Sequence, residues 1–519
     1  MKRDFAALND DFDLLVCGGG IYGAWTAYDA ALRGLKVALV EQADWASATS
    51  SASSKLIHGG LRYLETYDFR LVKKALRERR VLLDIAPHRV WPLRFGVPVY
   101  ADSRNGLLKL KAGLTLYDAL AGFPPEAMRH RRFGAADFHA HFPFLAAPAL
   151  RGGFTYGDAQ TDDARLVLEL VAGAQAAGAV CVNYARLTAW NEAGGKVCGA
   201  TVRDQESGAT ASVAARQCVS TSGQWLATSE AGRAWCRLSK GVHLVLPGLP
   251  AAEALLLTAK ADGRVFFLIP WYGRTLLGTT DTDYRGDVGR VEVGEADVDY
   301  LLDAANDYLQ LKWTRQDVIA AYAGLRVMKR SDAAHPSAAS RDWEIRTAAN
   351  GLHHSVGGKI TSAREDAAVI VDAVCARLGL AARGTSGVRD LPWKPQQDFG
   401  LWAAEMTARA HRLGIDDESA LWLLRRHGSR AGQVMQRVGE SPQRAARIVP
   451  ELPLTEADLL FCAQREMVLH LSDLLRRRLP LMILAQPDER MLRRVANLLA
   501  PMLCWDAARV EQEIKACRA

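Results

Sequence analysis

The sequence predicts an α/β dinucleotide-binding domain, a second domain built on a mostly antiparallel sheet, and an all-helical C-terminal domain. Three observations predict it. A glycine-rich turn, Gly18-x-Gly20-x-x-Gly23, separates a short apolar run from an Ala-rich run. Strand-like runs recur through the middle of the chain, and no strand signal occurs beyond residue 398.

Residues 12–17 are apolar and read as a buried strand. Ile21 to Arg33, closed by Gly34, reads as a helix, and Lys36 to Glu41 as a second strand. This order is a βαβ unit. Its turn needs glycines because the chain bends tightly and a diphosphate approaches the backbone. The helix N-terminus adds unpaired N–H groups and a positive dipole end. Glu41, 23 residues after Gly18, can accept hydrogen bonds from an adenosine ribose. The motif alone does not separate FAD from NAD.

Residues 67–86 read as a helix carrying Arg70, Lys73, Lys74, Arg77, Arg79 and Arg80. Residues 104–122 are Leu-rich, with Arg104, Lys109 and Lys111 interspersed. That mixture suits a segment lying on a lipid surface. It suits equally a surface helix with its apolar side in the core. Another helix opens at Asp162-Asp163, with Thr161 or Asp162 as its N-cap. Strands are expected near 180–190, 197–203, 212–219, 242–247, 254–258, 264–270 and 274–279. Leu391-Pro392-Trp393-Lys394-Pro395-Gln396 reads as a linker.

The 519 residues are 49% hydrophobic and 24% charged, which excludes disordered and fibrous classes. No run reaches the ~18 apolar residues of a spanning helix. No apolar stretch follows Met1-Lys2-Arg3, so no secretory signal is expected. Nine cysteines, none in a CxxC pair, argue against a disulfide framework or structural zinc and for a reducing cytoplasm. The net charge of +7 permits attraction to anionic lipid or a phosphorylated substrate and does not indicate nucleic acid. His139 and His141 alternate and His353-His354 are adjacent, but no Cys or carboxylate completes a ligand set, so no metal site is expected.

The most specific segment runs from Ala48 to Glu65 and contains Thr49-Ser50-Ser51-Ala52-Ser53-Ser54-Lys55-Leu56-Ile57-His58-Gly59-Gly60-Leu61-Arg62-Tyr63. Its small hydroxyls and paired glycines suit the approach of a flat ring system. This stretch resembles the signature of FAD-dependent glycerol-3-phosphate dehydrogenases. Further resemblances follow in order over about residues 10 to 485. Tyr156 to Leu166, with Asp162-Asp163-Ala164-Arg165-Leu166, is similar to the family's YxDxxxDDARL segment. Lys240-Gly241-Val242-His243, Ile269-Pro270-Trp271 and Gly278-Thr279-Thr280-Asp281 resemble its KGxH, IPW and GTTD motifs. Ala323-Gly324-Leu325-Arg326, Ser340-Arg341-Asp342 and Gly357-Gly358-Lys359-Ile360-Thr361 resemble SGxRP, xRD and GGKLT. His427-Gly428-Ser429-Arg430 and Arg465-Glu466-Met467 resemble segments of its helical C-terminal domain.

There are departures. The family's NATG is Ser220-Thr221-Ser222-Gly223, and the Pro after the active-site Arg is Val327. Trp25 and Tyr28 stand where small or basic residues are usual, and Ser362-Ala363 replaces a Thr-Tyr pair.

The resemblance implies an FAD-binding fold of the glutathione-reductase and D-amino-acid-oxidase type. The expected FAD-binding domain takes residues 10–80, 150–230 and 335–385. The expected substrate-binding cap takes 81–149 and 231–334, and the helical domain 390–519. The implied reaction is oxidation of sn-glycerol 3-phosphate, with electrons passed to a membrane quinone. The alternatives are an oxidase using O₂, whose mid-chain insertion is not seen, a relative acting on an amine or amino acid, and a non-catalytic flavin binder. His243 is the implied base and Arg326 the group holding the oxygen at C2. Arg62, Tyr63, Arg341 and Lys359 are expected around the anionic substrate, since arginine offers forked hydrogen bonds and lysine a point charge. FAD, held non-covalently, is expected at Gly18, Gly20, Gly23, Glu41, Thr49, Ser50, Ser54, His58, Gly59, Gly223, Gly358, Lys359 and Thr361. The expected location is cytoplasmic, peripheral on the inner face of the cytoplasmic membrane and against anionic lipid. A homodimer is left open.

Overall fold

The computed structural model describes residues 1–330 and 342–518. The expected βαβ unit is present: strand Asp11–Cys17, helix Ile21–Leu32 and strand Val37–Val40. These strands are the centre of a sheet ordered Trp343–Thr347, His353–Gly357, Thr210–Ser220, Asp11–Cys17, Val37–Val40, Val180–Val182. All neighbours in it are parallel except the first pair. Both faces are covered, as parallel sheets require. The hairpin Ala185–Ala193/Lys196–Asp204 extends it through Thr210–Ser220. The strands near 180–220 therefore belong to the nucleotide-binding sheet.

Helix Ile21–Leu32 is buried nearly all round, packed against helices Asp163–Ala176 and Ala363–Leu378. This explains Trp25 and Tyr28. Both rings are core residues, and Tyr28 lies over Gly173, where a Cβ would stand 2.8 Å from the ring.

The second sheet is mainly antiparallel. It runs Cys236–Pro247, Arg274–Gly278, Val265–Trp271, Ala254–Thr258, Val90–Tyr100, Leu150–Thr161, with Ala320–Lys329 on the other side of the first strand. The sequence boundary at residue 150 groups Leu150–Thr161 with the first domain, but that strand hydrogen-bonds along its length to Val90–Tyr100.

Beyond residue 398 the described residues form helices. Four begin with Asp or Thr caps, Asp398, Asp416, Thr455 and Asp488, whose side chains accept first-turn N–H groups. The expected linker at 391–396 is a packed strap. Leu391 and Trp393 are buried, and the Trp393 N–H donates to Glu169 Oε1 at 2.8 Å.

Three domains meet at the first turn of helix Asp163–Ala176. Asp162 caps it and accepts the Tyr272 hydroxyl at 3.1 Å. Asp163 accepts Lys55 Nζ and Ser53 Oγ, each at 2.7 Å. Arg165 forks onto Glu466 of the helical domain, with Nη2 to Oε1 at 2.9 Å, and Arg430 reaches the same carboxylate. Arg165 and Glu466 are fully buried. His427, Cys462 and Glu466 also converge there. Glu466 is taken by the two arginines, and His427 Nε2 bonds Asp458 at 2.8 Å, so the cluster is an ion-pair network.

Removing one partner of a buried pair leaves an uncompensated charge and costs about 3–5 kcal/mol. Glu466→Gln strands Arg165 and Arg430. It is expected to lower unfolding free energy by about that amount in urea with an unchanged slope. A loss below about 1 kcal/mol would mean that the network is dispensable.

Candidate active site

The parallel strands Asp11–Cys17 and Thr210–Ser220 end together, with Cys17 opposite Ser220. A cleft opens at these carboxyl ends, where doubly wound sheets bind ligands. It runs from Gly18, Gly20 and Glu41, past Thr49, Ser50 and Gly223, to His243 and Arg326, with about 1550 Å³ of empty space, its solvent-open mouth included.

The glycine turn is built for close approach. Gly18 has φ +115°, and a Cβ there would stand 2.5 Å from the Thr221 carbonyl oxygen. A Cβ on Gly23 would collide with the Gly18 carbonyl. Thr221 Oγ1 donates to the carbonyls of Cys17 and Gly18 at 3.0 and 2.9 Å. The departure at 220–223 thus keeps small groups that pin the turn. Glu41 accepts the Gly19 N–H at 2.6 Å and the Ala43 N–H at 2.9 Å. Burial raises its pKa, with the two N–H donors opposing.

Cross-strand register assembles the other end. His243 lies opposite Tyr322, Gly241 opposite Gly324 and Ser239 opposite Arg326. Side chains alternate along a strand, so His243, Tyr322 and Arg326 share one face. The His243 ring stacks on Tyr322, with centroids 4.9 Å apart and planes 11° apart. Gly278 of the next strand leaves no room for a side chain against the ring. Ser54 Oγ lies 2.8 Å from Nε2. Nδ1 has no hydrogen-bond partner among the described residues. Burial, then the charges of Arg326 and Lys55, drive the His243 pKa well below 6.5. His243 is therefore neutral at pH 7, as a proton acceptor must be. Arg326 donates to the Thr280 carbonyl and to Thr279 Oγ1, at 3.1 and 2.7 Å.

The other expected residues divide. Gly18, Gly20, Glu41, Thr49, Ser50, Ser54, His58, Tyr63, Gly223, His243, Arg326, Gly358 and Lys359 line the cleft. Gly23, Gly59, Arg62 and Thr361 do not. Gly59 faces Tyr117 and Leu76, so its missing side chain serves packing. Arg62 lies over the Tyr63 ring, 5.0 Å from its centroid. Thr361 Oγ1 accepts the His58 N–H at 3.2 Å. Lys359 Nζ lies 4.6 Å from the Tyr63 ring centroid. Arg341 lies outside the described residues.

Sequence reasoning missed two supports. Lys55 is fully buried and donates to Asp163 and to the Ser51 carbonyl, each at 2.7 Å. Its signal was the acid pair at 162–163. Tyr22 accepts the Lys359 N–H at 3.0 Å and donates to Asp366 at 2.8 Å. No local pattern in the sequence links Tyr22 to a residue 337 positions away.

The cleft fits FAD. A tight glycine turn at a helix N-terminus suits a diphosphate, and Glu41 lies where a ribose would follow. Gly223 has φ +54° and open space where a Cβ would be. This constellation defines a flavin-dependent oxidoreductase. A family model described as "FAD dependent oxidoreductase" matches residues 13–364. One described as "C-terminal domain of alpha-glycerophosphate oxidase" matches 397–510. A glycerol-3-phosphate dehydrogenase of Synechocystis sp. is 36% identical, covering 92% of this chain and 90% of its own. An aerobic glycerol-3-phosphate dehydrogenase of Staphylococcus aureus is 31% identical, covering 97% and 93%. The crystal structure of the Bacillus halodurans glycerol-3-phosphate dehydrogenase complexed with FAD superposes with a TM-score of 0.81 at 28% identity, covering 99% and 95%. The chain belongs to the FAD-dependent glycerol-3-phosphate dehydrogenase family, and its cofactor is FAD.

Because folding holds His243 neutral, the unfolded chain takes up a proton below pH 6.5 that the folded chain refuses. His243 thus costs stability progressively as pH falls below 6.5. His243→Asn is expected to lose less melting temperature than wild type between pH 7.5 and 5.5. Equal losses would show that His243 protonates freely in the fold.

Proposed function

We propose that the protein oxidises sn-glycerol 3-phosphate to dihydroxyacetone phosphate and passes the electrons to a membrane quinone. The observation that carries this reading is His243 and Arg326 on one face of two neighbouring strands at the end of the nucleotide cleft. The relatives' names support the substrate.

When bound, FAD supplies a two-electron acceptor for the hydride from C2. His243, neutral and fixed between Tyr322 and Gly278, takes the C2 hydroxyl proton. Arg326, anchored through Thr279 and Thr280, holds the negative charge developing on that oxygen. Lys359 and Tyr63 meet the phosphate, and Arg62 acts by backing the Tyr63 ring. Arg341 completes the cationic set in this proposal.

Loss of a general base costs roughly 10²–10⁴-fold in rate. His243→Ala is expected to lower anaerobic flavin reduction by glycerol 3-phosphate by about that factor while retaining FAD. Lys359→Ala is expected to raise KM more than it lowers kcat, because a phosphate contact exists in ground and transition states alike. Wild-type reduction rates in His243→Ala at saturating substrate would refute the base. Fast reoxidation by O₂ with peroxide release, and none by quinone, would make the protein an oxidase.

Quinone access requires a membrane surface. No helix among the described residues is long and apolar enough to cross a membrane. Helix Leu107–Leu120 buries Leu114 and Tyr117 and half-buries Leu107 and Leu110 against the core. Its outer side differs: Leu108 is 84% exposed, and on adjoining segments Tyr67 is 78% and Phe123 60% exposed. Lys109 and Lys111 flank Leu108 and are exposed. Half of the expected basic face on helix Phe69–Ile85 is committed elsewhere: Lys74 pairs with Asp366, Arg77 with Glu365 and Arg79 with Asp158. We therefore assign lipid contact to Leu108, Leu116, Tyr67 and Phe123. Leu108→Asp with Leu116→Asp is expected to abolish cosedimentation with anionic liposomes at low salt and to leave dye-linked activity. Unchanged cosedimentation would remove this surface from the proposal.

A further inference from the structure

We infer that the helical C-terminal domain positions the adenosine end of FAD, through Asp44, Arg477 and Arg478. The inference rests on the reading that places the adenosine ribose at Glu41.

Asp44 follows Glu41 by three residues and is fully buried in the loop after strand Val37–Val40. Its carboxylate is held from the helical domain by two arginines. Arg477 Nε donates to Oδ2 at 2.5 Å, and Arg478 forks onto both oxygens, with Nη2 to Oδ1 at 2.9 Å. Both guanidiniums are at least nine-tenths buried. They overcome the burial of Asp44 and lower its pKa to about 2, so the carboxylate is ionised.

The arginines lie in a π-helical turn, Leu474–Arg478. Such turns are rare and recur at functional sites. This one puts adjacent residues 477 and 478 on the same carboxylate. Arg477 is fixed in turn by Asp473 at 2.8 Å, and Arg478 by the carbonyls of Glu466 and Met467 at 2.8 and 3.1 Å.

The same loop touches the glycine turn. Trp45 lies against Gly19, where a Cβ would stand 2.5 Å from its ring. The Ala46 N–H donates to the Gly19 carbonyl at 3.1 Å. Trp45 Nε1 donates to Met467 Sδ of the helical domain at 3.3 Å. The loop is thus clamped by residues 467–478 on one side and supports residues 18–20 and 41 on the other. Residues 467–478 do not line the cleft, so any effect on FAD passes through the loop.

Coupling between two sites is reciprocal, and typical values correspond to 5–150-fold in affinity. Arg477→Met leaves Arg478 on Asp44. Reconstituted with FAD and followed by flavin fluorescence, it is expected to bind FAD about tenfold more weakly than wild type. In the wild type, FAD is expected to slow amide hydrogen exchange in residues 466–478. Asp458→Asn breaks an equally buried pair inside the helical domain and is expected to lower the melting temperature without changing FAD affinity. Wild-type FAD affinity in Arg477→Met, or exchange in 466–478 indifferent to FAD, overturns the inference. The exchange measurement needs no variant to fold. Weaker FAD binding in Glu41→Gln supports the underlying reading. Unchanged binding there removes that reading, and the inference with it.

Discussion

The structure depends on the charged first turn of helix Asp163–Ala176. Two acids and one arginine within four residues each face a different part of the molecule. Asp162 reaches Tyr272 of the antiparallel sheet, Asp163 reaches Lys55 and Ser53 of the cleft loop, and Arg165 reaches Glu466 of the helical domain. A helix N-terminus favours the acids electrostatically. Burying several charges is unfavourable unless each is paired with good geometry, and here the pairs themselves define how the domains meet. A domain displaced by an ångström would leave a buried charge uncompensated. The network therefore specifies one arrangement more than it adds stability.

That arrangement sets the chemistry at His243. The histidine's strand and its neighbour Ala320–Lys329 bring Tyr322 and Arg326 to its face by register alone. The ring has sheet on two sides and the Ser54 loop at its tip. The loop is where it is because Lys55, at φ +58°, turns inward to Asp163. Lys55 also lies over Trp271 and Tyr322, 5.0 and 5.3 Å from their centroids. One buried ammonium thus fixes the loop and helps keep the nearby imidazole neutral.

Much of this was legible in sequence, for identifiable reasons. The βαβ unit was readable because a period-breaking glycine turn between two apolar runs is a local signal. The helical domain was readable because strand signals stop at residue 398. His243 and Arg326 were recognised by resemblance, and their shared face follows from strand register, which no local pattern encodes. Gly59 was assigned for the close approach of a flat ring to its backbone and Arg62 through the resemblance. The structure turns Gly59 toward Tyr117 and Leu76 and lays Arg62 on Tyr63. The strap at 391–396 looked like a linker because prolines mark loops. Its tryptophan was the contrary signal, since a ring that large in a loose linker would expose apolar area.

The family motifs themselves divide by physical role, and the division explains why some departures are tolerated. Arg165 and Arg430 meet on Glu466, and His427 bonds Asp458 beside them, away from the cleft lining, while the acid pair at 162–163 holds Tyr272 and the cleft loop. The pairs of Arg165 and Arg430 with Glu466 are buried, so removing one partner leaves a charge uncompensated. The segment at 220–223 meets the cleft through small groups, and in this chain Thr221 also pins the glycine turn through its hydroxyl. Serine and threonine stay small where the family carries Asn and Ala. Val327 packs with Leu226, Cys236 and Val356, an apolar cluster that any residue of similar size and no charge would complete. The departures at 222 and 327 thus concern volume, while the pairs of Arg165 and Arg430 with Glu466 concern charge.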